Sequence, residues 1–189
     1  MSFILGLDVS TSCTGWCIIN DKGSLVDIGS IPLSKLKGVY KKAGEVSRVL
    51  CDIMIRHEIS HIYIEENLQS FRRGFSSAQT LSTLARFNGI VSLLTYQHFD
   101  MEPCHINVNA ARKSLGIKII SKRKGGAPTK EQVLEWATGQ IDTLDFSWPT
   151  KILKGGPNRG KEVLDPVSFD MADAYVIAKA GLVIGQNNS

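Results

Sequence analysis

Four carboxylates in this chain are placed where their neighbours make a simple solvated role expensive: Asp8, Glu65, Asp170 and Asp173. Asp8 belongs to the apolar run Ile4-Leu5-Gly6-Leu7-Asp8-Val9, and a carboxylate there is costly unless it is paired or coordinates a metal. The competing reading ends the strand early and leaves Asp8 to hydrogen-bond the turn over residues 10–13. Glu65 follows Ile62-Tyr63-Ile64. Period-two alternation sets it opposite in sense to Ile64 and Glu66, so one of the two glutamates faces inward or toward the strand end. Asp170 and Asp173 are three apart and share one face of a helix. They either suit a helix N-terminus or, beside Ala172 and Ala174, serve something more. Acids converging from separate elements are what a hard cation takes. Mg²⁺ prefers oxygen ligands in octahedral geometry, and two such ions about 4 Å apart serve the attacking and leaving oxygens of a phosphodiester. Asp8, borne on a strand, is the natural bridge between them. Like charges this close repel without metal, so magnesium is expected to stabilise the fold.

The elements that must bring these acids together follow from hydrophobic periodicity. Strands are expected over residues 3–9, 15–20 and 25–31, with a hairpin turn at Asn20-Asp21-Lys22-Gly23. Val39, Ala43, Val46, Leu50, Ile53 and Met54 recur at helical spacing, and residues 59–66 alternate as a further strand. A polar stretch, 69–77, leads into a long helix with Leu81, Leu84, Ile90, Val91 and Leu94 as its core candidates. A strand over 105–108 and a short helix over 109–115 come next. A basic loop, 121–128, then precedes a helix capped at or near Thr129 and carrying Val133, Leu134, Trp136 and Ala137. Residues 142–166 contain Gly and Pro and read as a long connection. Residues 168–184 form the last helix, with Ala172, Val176, Ala180 and Val183 on one face. A strand meander followed by alternating helices and strands predicts an α/β fold, a mixed five-stranded sheet covered by helices on both faces. The length of 189 residues fits one domain, 1–189.

Composition narrows the function. A 43% hydrophobic and 21% charged chain is ordinary for a globular protein. No apolar run is long enough for a membrane span, and the opening Met1-Ser2-Phe3-Ile4-Leu5-Gly6 lacks the features of a signal peptide. The expected location is therefore the cytoplasm, with Cys13, Cys17, Cys51 and Cys104 as small buried hydrophobes rather than disulfides. Cys13 and Cys17 have no second pair at zinc-ligand spacing. The net charge of +4 is unevenly spread. Residues 103–130 contain no acid but carry Arg112, Lys113, Lys118, Lys122, Arg123, Lys124 and Lys130, and Lys151, Lys154, Arg159 and Lys161 follow among glycines. Two such segments point to a polyanionic partner.

The ordered set of motifs resembles the RuvC family of Holliday junction resolvases within the RNase H-like superfamily. Ile4-Leu5-Gly6-Leu7-Asp8-Val9-Ser10, with Thr14-Gly15, resembles that family's opening, Ile64-Glu65-Glu66 its second acidic motif, and Asp170-Met171-Ala172-Asp173-Ala174 its C-terminal aspartates. Ala110-Ala111-Arg112 and Lys130-Glu131-Gln132-Val133 are similar to intervening segments, in the same order. The resemblance implies an RNase H-like fold, a homodimer and paired incisions across four-way DNA. It also implies two Mg²⁺ ions per site, replaceable by Mn²⁺, held by Asp8, Glu65, Asp170 and Asp173, with Lys130 near the scissile phosphate. A two-fold dimer suits a two-fold junction.

The chain departs from that pattern after Glu65. Leu68 stands where the family places a junction-invading aromatic, and Phe71 or Phe75, flanked by Arg72 and Arg73, is the candidate replacement wedge. Arg112, Lys113, Lys122, Arg123 and Lys124 are further candidate DNA contacts. Such departures point to a phage-type or other mobile-element relative, which would place the protein in a host cytoplasm. Three other readings compete. One is an RNase H-like nuclease acting on structured RNA or on flaps and forks, since phosphate contacts give affinity without identity. Another is a junction binder without catalysis, which has no reason to keep four costly acids. The third is an actin-like or sugar-kinase-type ATPase, because Gly6-x-Asp8-x-Ser10-Thr11-Ser12-x-Thr14-Gly15 also resembles a phosphate loop. A single domain cannot build that ATP cleft, and it leaves Asp170 and Asp173 without a role.

Overall fold

The computed structural model describes residues 2–66, 78–141 and 146–187. Five strands, β1 (Phe3–Asp8), β2 (Cys13–Asn20), β3 (Leu25–Pro32), β4 (Ile59–Glu65) and β5 (Cys104–Ile106), form one mixed sheet in the order β3-β2-β1-β4-β5. The first three pair antiparallel, as the turn at residues 20–23 predicts, and β4 lies parallel to both β1 and β5. Helices α1 (Val39–Arg56) and α2 (Ala78–Phe99) cover one face. Helices α3 (Val108–Ser114), α4 (Thr129–Gln140) and α5 (Val167–Asn187) cover the other. The expected RNase H-like α/β architecture is what the chain adopts. Among the described residues no helix is long and apolar enough to cross a membrane.

Period-two alternation divides the strands between two cores. Leu5, Leu7, Trp16, Ile18, Ile62 and Ile64 pack with α1 and α2 through Val46, Leu50, Ile53, Phe87 and Val91. Ile4, Cys17, Ile19 and Tyr63 face α5. That parity decides where the strand-borne acids go. Asp8 follows Ile4 and Gly6, and Glu65 follows Tyr63, so both belong to the α5 face, while Glu66 shares the parity of Ile62 and Ile64.

Helix α5 is the centre of the second core. Every residue from Met171 to Ala178 is buried, because α5 lies between the sheet and the helices α3 and α4. The sequence expectation of a single apolar stripe is thus too narrow: Ala172, Val176 and Ala180 are buried, but so is the rest of those two turns, and Val183 is only partly covered. The helix approaches the sheet unusually closely. A Cβ on Gly6 would come within 2.5 Å of the Ala174 carbonyl and 2.7 Å of the Ala178 Cβ, and a Cβ on Gly15 would overlap the Asp170 carbonyl. Two glycines on adjacent strands, Gly6 facing Ala174 and Ala178 and Gly15 facing the Asp170 backbone, set the height of α5 above the sheet.

Several local expectations need correction. The strand expected over 105–108 runs over Cys104–Ile106, and α3 begins at Val108 because the Asn107 side chain accepts a hydrogen bond from the Asn109 amide at 3.0 Å. Thr129 does not cap α4; Pro128 holds that position and offers no side-chain acceptor. The connection over 142–166 contains a small antiparallel hairpin, β6 (Thr150–Ile152) and β7 (Glu162–Leu164), whose three-residue strands carry too little pattern to be read. Met54 is 40% exposed, on the solvent side of α1. On α2 the buried positions are Phe87, Asn88, Val91 and Thr95; Leu81, Leu84, Ile90 and Leu94 are only half-buried. The cysteines are all free; Cys13 and Cys17 are buried as expected, but Cys51 is half-buried and Cys104 exposed, since β5 is an edge strand.

The packing generates a paired test. Gly15→Ala should cost about 3 kcal/mol, because backbone on both sides must move apart. Gly44→Ala, in α1 with open space around it, should stabilise by about 0.5–1 kcal/mol through helix propensity. Urea denaturation of both variants measures the contrast, and equal effects would contradict the close approach.

Candidate functional site

The C-terminal ends of β1 and β4 lie side by side. Leu7 pairs with Ile64 in parallel register, so Asp8 and Glu65 are the next residues on neighbouring strands. On its other side Asp8 pairs with Gly15, the glycine over which the Asp170 carbonyl sits. The first turns of α5 are thereby lowered onto the strand ends, bringing Asp170 and Asp173 toward Asp8. The turn after β1 is closed by Ser10, whose hydroxyl accepts from the Cys13 amide at 3.2 Å and donates to the Cys13 carbonyl at 2.6 Å. The turn therefore has its own hydrogen-bonding residue and does not call on Asp8. Asn88, from α2, donates to the Glu65 carbonyl at 3.0 Å and fixes the end of β4.

The acids respond to one another and to burial. Burial, followed by the charges of Glu65, Asp173 and Asp170, pushes Asp8 well above the ordinary carboxylate range, against the pull of Lys130. Glu65 is pushed up to about 7, by burial first and Asp173 second; Arg112, Lys130 and a side-chain hydrogen bond with Asp8 oppose the rise. Asp173 is raised by burial, with Arg112 and Lys130 pulling it down. The Cys13 thiol is pushed up to about 12 by burial, by the charge of Asp170 and by a hydrogen bond to that carboxylate.

Two cations reach in. Lys130, in the first turn of α4, places its Nζ 3.4 Å from Asp170 Oδ1. Burial tends to lower its pKa, but Asp170, Asp173 and Asp8 together hold it raised. Arg112, on α3, lies 3.5 Å from Asp173 Oδ1 through an Nη atom. That separation is an ion pair without hydrogen-bond geometry, and both Arg112 Nε and Asp173 Oδ1 are buried with no hydrogen-bond partner. Sequence reasoning assigned Arg112 to DNA contact alone. Its approach to Asp173 is a contact between residues 61 positions apart, and Ala110-Ala111-Arg112 carries no sign of it.

The five residues singled out as catalytic therefore meet at one end of the sheet. Among the described residues no group of three or more Asp, Glu, His or Cys side chains is arranged to hold a metal ion. The donor set nevertheless fits a hard divalent cation: four carboxylates, one with a buried oxygen lacking a hydrogen-bond partner. Of the expected DNA contacts, Lys113 is exposed and lines, with Asn109, Arg112, Lys118 and Thr129, an open groove of about 530 Å³ beside the acids. Lys122, Arg123 and Lys124 form an exposed 3₁₀ turn. Phe71, Arg72, Arg73 and Phe75 lie outside the described residues.

No protein-family model matches the sequence. No curated protein matches it either. Solved structures do match in fold. RuvC of Thermus thermophilus in complex with a Holliday junction substrate superimposes with a TM-score of 0.68 at 13% identity, over 99% of this chain and 96% of that one. A second structure of Thermus thermophilus RuvC gives 0.64 at 15% identity, over 98% and 96%. The yeast mitochondrial Holliday junction resolvase Ydc2 gives 0.55 at 14% identity, over 95% and 77%.

Because Glu65 is raised from an ordinary value near 4.5 to about 7, its protonated form is favoured in the folded chain. Its contribution to stability is full below pH 4.5 and is lost as pH rises through 7. Without divalent cations, melting at pH 8 should fall below that at pH 5. Glu65 should supply on the order of 2 kcal/mol of this difference, or roughly 4–8 °C. Glu65→Gln should remove Glu65's own share of the difference, leaving the part due to Asp8 and Asp173, and millimolar Mg²⁺ should restore the wild type at pH 8. A melting temperature indifferent to pH, or equal pH dependence in the variant, would contradict the coupling.

Proposed function

We propose that this chain is a Holliday junction resolvase, a homodimeric endodeoxyribonuclease that nicks four-way and other branched DNA by Mg²⁺-dependent phosphodiester hydrolysis. The reading rests on one observation above the rest: Asp8, Glu65, Asp170 and Asp173 converge with Lys130 at one end of the sheet, in a fold shared with RuvC bound to a junction. In the reaction a water oxygen bonds to phosphorus, and one ester oxygen leaves carrying a proton. When bound, a pair of Mg²⁺ ions supplies activated water and charge neutralisation at both oxygens.

The chain's own groups divide the remaining work. Asp8, Glu65, Asp170 and Asp173 would hold the metal when it is bound, with Asp8 central among the acids. Asp173 is buried and Asp8, Glu65 and Asp170 are half-buried, and the hydration they lose strengthens their attraction for a cation. Lys130 is held near its working place by Asp170 and is positioned to neutralise charge developing on the phosphate. Arg112 balances Asp173, as Lys130 balances Asp170, until a cation takes over. The groove lined by Lys113 and Lys118, and the basic turn of Lys122, Arg123 and Lys124, give the phosphate backbone a path toward the acids. The segment carrying Phe71, Arg72, Arg73 and Phe75, outside the described residues, remains the candidate for opening the junction.

Labelled four-way, three-way and linear DNA incubated with the protein in Mg²⁺, with the nicks mapped, tests the assignment. Paired nicks in the four-way substrate are expected, with little cutting of linear duplex. Cutting confined to forked DNA or structured RNA would replace the substrate while keeping the chemistry. Asp8→Asn should reduce the rate by at least about 10³-fold while leaving junction affinity within a few-fold, and Lys130→Ala should reduce it by roughly 10²–10³-fold. Normal cutting by Asp8→Asn would remove Asp8 from the chemistry.

A further inference from the structure

The β6–β7 hairpin belongs to neither core of the sheet, yet its backbone is tightly specified. Thr150 pairs with Leu164, Lys151 with Val163 and Ile152 with Glu162. Beyond the strands, Leu153 and Lys161 continue the ladder: the Leu153 amide donates to the Lys161 carbonyl at 3.0 Å, and the Gly160 amide to the Leu153 carbonyl at 2.8 Å. Two interlocked turns close the tip. The Arg159 amide donates to the Gly156 carbonyl, and the Lys161 amide to the Asn158 carbonyl, each at 3.1 Å. Gly156 and Gly160 take positive φ values of 75° and 86°, which few other residues could adopt there.

This ordered finger presents charge. Lys151, Lys154, Arg159 and Lys161 are all exposed, and among the described residues none has an ion-pair partner. The one acid on the hairpin, Glu162, accepts from the Thr150 hydroxyl. Its base is rooted in the start of α5. The Asp165 amide donates to the Pro149 carbonyl at 2.8 Å, and the buried Ser168 hydroxyl donates to the same oxygen at 3.2 Å. The Asp165 carboxylate meanwhile accepts from the Val167 amide at 3.1 Å. Trp148, just before the hairpin, is tied to α4 through Thr138 at 2.8 Å. Asp170 therefore stands in the same helical turn that anchors the finger. On the α4 side, Gln132 fastens the loop with Lys122, Arg123 and Lys124 through Ile120 and Ala127. Two basic elements are thus rooted in the two helix starts that bring Lys130 and Asp170 together.

We propose that the β6–β7 hairpin is a nucleic-acid clamp, whose Lys154, Arg159 and Lys161 grip the phosphate backbone of a DNA arm a few base pairs from the acids. From Leu164 to the tip the hairpin reaches roughly 15 Å, or about four to five base pairs of duplex. A fixed frame explains why the backbone is locked while every basic side chain is left in solvent: affinity comes from charge, and distance from geometry. Phosphate contacts of this kind carry no sequence information. The proposal rests on the nuclease reading for the identity of the polyanion.

The test compares the wild type with K154A/R159A/K161A, and with K35A/K37A/K41A as a control that removes three exposed lysines elsewhere. Binding of fluorescent four-way and linear DNA is measured in EDTA across a salt series. The hairpin variant should lose about 2–3 units from the slope of log K against log salt, at about 0.9 per phosphate contact. It should bind at least tenfold more weakly near 0.1 M salt, equally for both DNAs, while the control shifts the slope by less than one unit. K154R/R159K/K161R should bind like the wild type, which separates loss of charge from loss of folding. An unchanged slope in the hairpin variant, or an equal loss in the control, overturns the clamp. Cleavage in Mg²⁺ is scored separately. A slope loss without any wild-type cutting would overturn the nuclease reading and keep the clamp, whereas a cutting enzyme with an unchanged slope would do the reverse. A wild type that binds neither DNA overturns both.

Discussion

The height of α5 above the sheet governs nearly everything else in this molecule. Gly6 and Gly15 leave no side chain between the strands and the helix, and Ala174 and Ala178 answer with the smallest surfaces a chiral residue can offer. Close packing of that kind rewards burial and tolerates little change in volume. It also brings backbone carrying Asp170 against the strand pair that ends in Asp8. Raising the helix by one methyl group would weaken the second core and separate the acids in the same movement, so stability and chemistry share a single dimension.

That sharing has an electrostatic cost. Burial raises Asp8, Glu65 and Asp173 above their usual range, and their mutual repulsion adds to it. Lys130 and Arg112 offset part of the charge from two neighbouring elements, α4 and α3. Neither satisfies it, since the Arg112–Asp173 contact is long and leaves polar atoms on both residues without hydrogen bonds. A cluster this poorly compensated gains most from a cation of high charge density.

Much of this was legible in the sequence, and the reasons differ from residue to residue. Asp8 stood out because its strand was otherwise apolar. Glu65 and Glu66 could not be separated by alternation alone; that needed the register of β4 on β1, which assigns Glu65 to the α5 side. The three-strand meander was written in a turn and three clear apolar runs. The β6–β7 hairpin was not, since strands of three residues leave no period to detect and its basic side chains read as loop. Arg112 beside Asp173 was equally hidden, because a contact between helices distant in sequence leaves no local trace. Phe87 was overlooked in favour of leucines on the same helix that turn out only half-buried.

The order of the strands has a consequence for how the protein is made. Asp8 and Asp170 are 162 positions apart, and at about 5–20 residues per second a ribosome needs roughly 8–30 s to pass from one to the other. Throughout that interval β1 and β2 can pair and α1 can dock, while the side of the sheet carrying Ile4, Gly6 and Asp8 has no α5 to cover it. The growing chain must keep that apolar surface from associating with other nascent chains. In return, no nascent chain that has not yet reached Asp173 can assemble the full set of acids, so the acidic cluster forms only once α5 has been made.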